Sequence, residues 1–551
     1  MASIAVPPAI VAPPPRPVEA AVLGTGLLGL FATLLGFTLL KHGTDFIAND
    51  APQLVVGWAG AIGALSLAFL PAGYAALPRF AARCLRASSV FLALYFAIEP
   101  FAIPYAAMAA DHPAVLFHGH ARWIGCALAV AGLFRPSLAF ASAMVLWMMR
   151  ELQTGLTGFY FSTLDIRNVA EVIAFWAIGF SLVAVIARSV RMREKIAGDA
   201  SGLETAASMI LAAGIGAHLA NYFWSGLAKL ALDGGPLSWL LDNRLYDGIP
   251  AALEKGTLPL AAFPAGVAAL DLALRWLMIP INLLAFAAQI AAIAAPLRRR
   301  WLILSIVAFD AFHLVVWLTL GLLFWKWIAL NAIILVALAA LRDEDWTRTA
   351  RTTAIVFVIA GMATFRTASL AWYESPGFAS PYFVARMDDG RSYRIPNAYF
   401  LSSSYQVSQG KIWAPAQGGH FNPSIWGSVL RHDDLEAGRA CDVPATGRRA
   451  DDEGEAASPA AIGRFVRAHH RQILPRLDAR GRFDYYLVPH HHVPSLGVAD
   501  PFYAADKRRI ARYSFVLDSV CLSLDHGRLV RRLRKRTVLP VYDVKADRIA
   551  M

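Results

Sequence analysis

Between residues 21 and 372 the chain returns repeatedly to apolar runs long enough to cross a bilayer, and no other feature constrains it as much. A helix needs about 20 mostly apolar residues to span the hydrocarbon core. Runs of that kind fall at 21–40, 54–78, 88–108, 168–188, 203–231, 265–296, 301–323, 326–341 and 352–372. Shorter runs at 121–134 and 137–150 are divided by Arg135 and Pro136, and read as short spans or as one helix and a re-entrant piece. On length, the chain has about nine to eleven crossings. Barrel strands alternate apolar and polar residues, which these runs do not. The expected fold class is therefore a polytopic α-helical membrane protein.

Apolar residues are 57% and charged residues 16% of the chain, and the charge is concentrated outside the runs, which sets the domain limits. Residues 1–20 are Pro-rich, without the basic start and small-residue cleavage site of a signal peptide. They read as a disordered tail before an uncleaved anchor. Residues 21–372 form the transmembrane domain, and residues 373–551 read as an extramembrane domain. The net charge of +12 fits basic loops and lipid headgroups better than nucleic acid.

Basic residues mark the cytoplasmic loops: Arg79, Arg83 and Arg86; Arg188, Arg191, Arg193 and Lys195; Arg298, Arg299 and Arg300; Arg342, Arg348 and Arg351. That assignment puts the loops at 41–53, 109–121, 151–167 and 232–257 outside, together with the C-terminal domain. The Ala-, Arg- and Gly-rich composition suggests a bacterial inner membrane, with the N-terminus cytoplasmic and the last domain periplasmic. Cys84 and Cys126 read as packing residues. Cys441 and Cys521 are able to pair if their domain lies outside the cytoplasm.

The C-terminal domain reads as mixed and β-leaning. Tyr382–Ala385, Asp388-Asp389-Gly390 and Tyr393–Pro396 have the order strand, turn, strand of a hairpin. Residues 461–475 look helical, while 485–488 and 514–517 look like strands. His490-His491-His492, with His420, His469 and His470, lacks standard metal spacing, so no metal is predicted.

A charge in the bilayer centre costs at least about 2.5 kcal/mol, so each intramembrane polar group asks for a reason. His218, Tyr222, Ser225 and Lys229 share one helical face, with Asn221 beside them and Gly226 open to close approach. Desolvation favours the neutral amine of a lysine in an apolar pocket, and such an amine is a usable base; a lysine near a helix end also snorkels. Asp271 and Arg275 are spaced to pair along the next helix, which Pro280 is expected to kink. Asp310, His313 and Trp317 share a face on the helix after that. Glu99 and Arg366 are further charges in the apolar runs.

Some of these segments resemble the vitamin K-dependent γ-carboxylase-like superfamily, also called the HTTM (horizontally transferred transmembrane) family. Asn221-Tyr-Phe-Trp-Ser-Gly-Leu-Ala-Lys-Leu230, followed by Asp233-Gly234-Gly235-Pro236 and Trp239, is similar to its lysine motif. Phe312-His313, Gly321 and Phe324 are similar to a later helix, and Leu270-Asp271-Leu272 to the one between. The likeness covers about residues 205–340 in order and approximate spacing.

The resemblance implies a quinol- and O₂-using carboxylase or oxygenase (a lyase in the carboxylase itself) with reduced vitamin K-type quinone as cofactor. In the carboxylase the matching lysine deprotonates the quinol, which reacts with O₂; the resulting alkoxide takes a γ-proton from glutamate, and the carbanion adds CO₂. Carried over, Lys229 is the base, and His313, with Asp310, is a second catalytic group. Asp271 supports a pocket shared with His218, Tyr222, Ser225, Asn221 and Arg275. The implied partners are membrane lipid, quinone and a protein or peptide substrate on the outer side. The family's further histidine has no counterpart from Gly158 to Asn168; His118, His120 and His218 are the candidates for its place.

The residues alone leave other classes open. Intramembrane Asp, Glu, Lys, Arg and His also suit an ion-coupled transporter, although no inverted repeat is visible. A non-enzymatic assembly or maturation factor would use the outer domain for docking, with the basic stretch Arg528–Arg536 facing acidic partners or lipid headgroups.

Overall fold

The computed structural model of the protein describes residues 17–98, 111–157, 164–192, 199–403, 407, 420–421, 427–443, 458–486 and 493–549. Glu99, residues 158–160, His490-His491-His492, residues 446–457 and most of the N-terminal tail lie outside them.

The first part is a bundle of helices. In chain order they are α1 (Pro17–Asn49), α2 (Val55–Phe69), α3 (Arg79–Ile98), α4 (Pro113–Gly132), α5 (Pro136–Thr157), α6 (Leu164–Met192) and α7 (Asp199–Leu230). Two short helices follow, α8 (Ser238–Asp242) and α9 (Gly248–Lys255). The bundle closes with α10 (Pro264–Trp276), α11 (Met278–Ala291), α12 (Arg299–Leu320), α13 (Trp325–Ala340) and α14 (Arg348–Ala360).

Among the described residues seven helices are long and apolar enough to cross a membrane, or up to eight if the bent pair α10–α11 is one span. That is fewer than the nine to eleven expected from the apolar runs, and the reasons are local. The pair bends by 75° at Leu277; Pro280 lacks the N–H that would bond the Trp276 carbonyl, four residues earlier. The helix α5 carries Arg150, Glu151 and Gln153, and its modestly apolar run is packed wholly inside the bundle. The helix α13 is 16 residues long. The run at 352–372 is helical only to Ala360; a 3₁₀ turn at Gly361–Ala363 follows, and the chain then leaves helical structure.

The helices α6 and α7 form the buried centre, with Trp176, Phe175, Ile210 and Tyr222 in one apolar core. The outer faces of α1, α2, α11 and α12 expose large apolar side chains, among them Leu28, Val56, Leu284 and Leu304. Such continuous apolar surface is what a lipid-facing wall presents.

From Tyr373 the chain builds a second layer. The strands β1 (Tyr373–Glu374), β2 (Gly377–Met387) and β3 (Ser392–Ile395) come first, and β4 (Ser428–Val429) pairs with β1. With β5 (Ile510–Asp525), β6 (Arg528–Asp543) and β7 (Arg548–Ile549) they give a five-stranded antiparallel sheet of order β3-β2-β5-β6-β7. The β2–β3 hairpin matches the sequence expectation, with Gly390 at φ +86° in its turn. The helix Pro459–Ile473 covers the sheet through Phe465 and Val466 against Phe383 and Phe400. Tyr485 and Tyr486 lie outside any strand, unlike the expectation. Arg528–Arg536 belongs to strand β6, not to a helix. Cys441 and Cys521 form a disulfide.

Candidate functional site

Beyond α14 and its 3₁₀ turn, residues 366–372 leave helical structure and run past α6 and α7. Backbone groups inside a bundle must be satisfied locally, and polar side chains do this in succession. Lys41 Nζ donates to the Thr364 carbonyl (2.8 Å). Glu171 accepts from the Arg366 N–H (2.6 Å), and Asn168 donates to the Arg366 carbonyl (2.7 Å). Asn221 Oδ1 accepts from Ala368 N–H (2.7 Å), and Ser225 Oγ from Leu370 N–H (2.9 Å). Lys229 Nζ donates to the Leu370 carbonyl (3.1 Å) and the Ser225 carbonyl (3.2 Å). The stripe Asn221, Ser225, Lys229 on α7 is thus the rail that holds an unwound segment.

Beside this rail lies a cavity of about 500 Å³ with largely apolar walls. Lys229, Tyr222, His313, Trp239, Gln289, Trp372 and Glu374 line it, and Leu370 contributes part of its wall. Lys229 Nζ lies 4.8 Å from the Trp239 ring centroid, a cation–π distance. Gly226 lets α11 come close, because a Cβ there would stand 3.1 Å from Gln289 Cβ and 3.0 Å from Ile290 Cδ1. Leu284 and Val315 also line the cavity while 70% and 47% exposed, so it reaches the apolar outer face between α11 and α12.

Glu374 is the group the sequence reading missed. It is buried in β1, accepts from Trp372 Nε1 (3.0 Å), and its Oε2 meets no hydrogen-bond partner among the described residues. Burial pushes its carboxyl up to about 7, partly offset by the Trp372 bond, the nearby Asn243 side chain and the Lys229 charge. It stands two residues beyond the last apolar run, where a sequence alone offers no sign that it folds back onto the lysine. Gln289 Oε1 is likewise buried without a partner among the described residues.

Next to the rail, on the same face of α7, a side-chain network forms. Tyr222 OH and His313 Nε2 are 2.9 Å apart. Asn331 donates to Asp310 Oδ1 (2.7 Å), and its Oδ1 pairs with His218 Nε2 (2.8 Å). The expected Asp310–His313 couple is therefore replaced by two couples, Asp310–Asn331 and Tyr222–His313. Asn331 was missed, although it is the one amide in the apolar run 326–341. Tyr222 also stacks on Phe309, which fixes its ring.

Asp271 and Arg275 make the expected pair at 2.8 Å on α10. Arg275 is half exposed and covers the Tyr246 ring at 4.1 Å; neither residue is among those lining the cavity. His118 is buried in α4 and His120 is exposed, and neither lines the cavity. Among the described residues no group of three His, Cys, Asp or Glu side chains is placed to hold a metal.

A second unforeseen cluster supports the rail. Arg167 pairs with Asp45 (2.8 Å), Glu171 (2.9 Å) and Glu151 (3.3 Å), and Lys41 with Glu171 (3.3 Å). Its one sequence signal is the four-residue spacing of Arg167 and Glu171.

Compared with known proteins, the chain matches no protein-family model, no curated protein and no solved structure.

Proposed function

We propose that this protein is a multi-pass membrane protein of the HTTM, vitamin K-dependent γ-carboxylase-like kind, whose cavity takes a lipophilic reduced quinone and uses Lys229 as a base. The observation that carries the reading is the lysine amine on the wall of an apolar cavity that reaches the outer face of the bundle. Apolar walls with a few convergent polar groups suit such a ring. A reduced quinone, with O₂, supplies the strong base and reducing equivalents for a carboxylase or oxygenase reaction.

The chain's own groups would act as follows. Trp239 and the Leu370 and Ser225 carbonyls orient Nζ of Lys229, which accepts a proton when neutral. Glu374, with a carboxyl titrating near neutrality, is suited to take that proton on at Oε2. The Tyr222–His313 couple holds a second exchangeable proton at the cavity wall. The apolar surroundings keep water away and strengthen these interactions.

The topology follows from the same reading. Adding α5, α13 and α14 to the eight apolar spans gives about eleven crossings, within the range that length allows. An odd number puts the Arg-rich loops and the C-terminal domain on opposite sides. The Cys441–Cys521 disulfide supports a non-cytoplasmic C-terminal domain, here periplasmic in a bacterial inner membrane. A protein or peptide substrate would approach from that side.

The test is O₂-dependent oxidation of a reduced naphthoquinone by purified protein in lipid, compared with Lys229→Met and Glu374→Gln. The expected result is a loss of about 100-fold or more for Lys229→Met, and a smaller loss with an altered pH profile for Glu374→Gln. A well-folded wild type that neither binds nor oxidises the quinol would overturn the proposal.

A further inference from the structure

Four lysines are buried among the described residues, Lys229, Lys255, Lys326 and Lys507, and the partners of three of them bear on a second site. Lys507 Nζ donates to the carbonyls of Phe502 (2.6 Å), Ala505 (2.6 Å) and Tyr503 (3.2 Å). Lys229 has two carbonyls and an indole ring. Lys255, at the C-terminal end of α9, is 8% exposed; its Nζ lies 5.4 Å from the Phe378 ring centroid and meets no hydrogen-bond acceptor among the described residues. A buried ammonium without an acceptor is costly, so such groups are almost always paired.

Lys255 lines a separate pocket of about 240 Å³ between α9, β3 and the segment 494–501. Gly256 caps α9 in the left-handed conformation (φ +69°), and the Ser495 N–H donates to its carbonyl at 2.8 Å. Two acids also line the pocket, and both are already saturated. Glu254 Oε1 binds Arg394 (2.8 Å) and its Oε2 binds Arg531 (3.2 Å). Asp500 accepts from Tyr485 and Tyr486 through Oδ2 (2.6 Å each), and from the N–H groups of Phe502 and Tyr503 through Oδ1. Ser495 Oγ is a second buried polar atom without a partner among the described residues. Leu253, Ile395, Pro396 and Val498 supply apolar wall.

We propose that this pocket is a binding site for a small carboxylate, held by Lys255 Nζ and Ser495 Oγ with its short carbon chain against the apolar wall. One ammonium and one hydroxyl match the two oxygens of a carboxylate; a phosphate would need more donors than the pocket has to spare. Arg394, 40% exposed at the side chain, adds positive potential at the mouth. The site is distinct from the cavity at Lys229, since the two share no lining residue.

Burial, with the Arg394 charge, pushes the Lys255 amine down to about 7. A carboxylate on Nζ favours its charged form, so binding above neutrality should take up a proton. The experiment is titration calorimetry of the full-length protein in lipid nanodiscs with butyrate, at pH 8 in two buffers of different ionisation enthalpy. Inorganic phosphate is titrated in parallel. Butyrate should bind with proton uptake, at least 10-fold more weakly in Lys255→Met and within a few-fold of wild type in Lys255→Arg. Acylation of Lys255 by a water-soluble N-hydroxysuccinimide ester, read by peptide mass spectrometry of the wild type, should be slowed by butyrate. That second readout decides the matter if Lys255→Met does not fold. No butyrate binding, binding unchanged in Lys255→Met, no protection of Lys255, or tighter binding of phosphate than of butyrate would each overturn the proposal.

Discussion

The polar residues along one stripe of α7 are used in two different ways. Asn221, Ser225 and Lys229 bond to main chain, at residues 368–370. His218 and Tyr222, one position away around the helix, bond to side chains of α12 and α13. A side chain that satisfies buried backbone cannot be removed without stranding an N–H or a carbonyl. One that satisfies another side chain can be exchanged together with its partner at little cost. A polar residue within an apolar run is therefore not by itself a sign of chemistry. All three rail residues also line the cavity, and Lys229 is the one among them that carries an amine.

Substitutions test how sharp that division is. The largest effect is expected below the rail. Arg167→Met leaves Asp45, Glu151 and Glu171 without their shared cation, and breaking a buried ion pair costs about 3–5 kcal/mol. Denaturation in detergent, followed by tryptophan fluorescence, should show it; an unchanged transition would mean the cluster is solvated. On the rail itself, Asn221→Leu strands the Ala368 N–H at a cost of about 1–3 kcal/mol, read as a lower unfolding midpoint. Beside the rail, Tyr222→Phe should cost less than about 1.5 kcal/mol yet alter quinol oxidation. If Tyr222→Phe unfolds the protein as readily as Asn221→Leu, the two uses of the stripe are not different in kind.

The C-terminal domain gives a graded, pH-dependent contrast. Burial holds the imidazoles of His469 down to about 3, and those of His470 and His420 to about 4. Their folded-state values lie below the unfolded one, so the contribution to stability is complete above about pH 6.5 and is lost as pH falls towards 4. Each histidine adds up to about 1.4 kcal/mol per pH unit. His470→Gln, which keeps a partner for Tyr513 OH, should flatten this slope; an unchanged slope would assign the acid sensitivity elsewhere.

The bundle was legible because apolar length is a local property, and so were the β2–β3 hairpin and the helix Pro459–Ile473. The stripe on α7 was legible as a stripe, from its spacing. Its partner was not, because residues 366–372 are as apolar as a helix and leave helical geometry only where side chains from α6 and α7 take over their hydrogen bonds. Glu374 and Asn331 stayed hidden for the same reason: each is one polar residue whose meaning comes from an element far away in sequence. Asp310 and His313 were rightly placed on one face, but spacing within a helix says nothing about which neighbour on α7 or α13 reaches first.

The unwound stretch 366–372 also orders the making of this protein. During synthesis the helices α1 to α13 enter the membrane before the strand that completes the rail has been made. Asn221, Ser225 and Lys229 must then wait for residues from the last part of the bundle, which lead directly into β1 and its pairing with β4. The cavity wall is thus among the final pieces to be laid down, and a chain cut after Ala360 would hold the helices without the site.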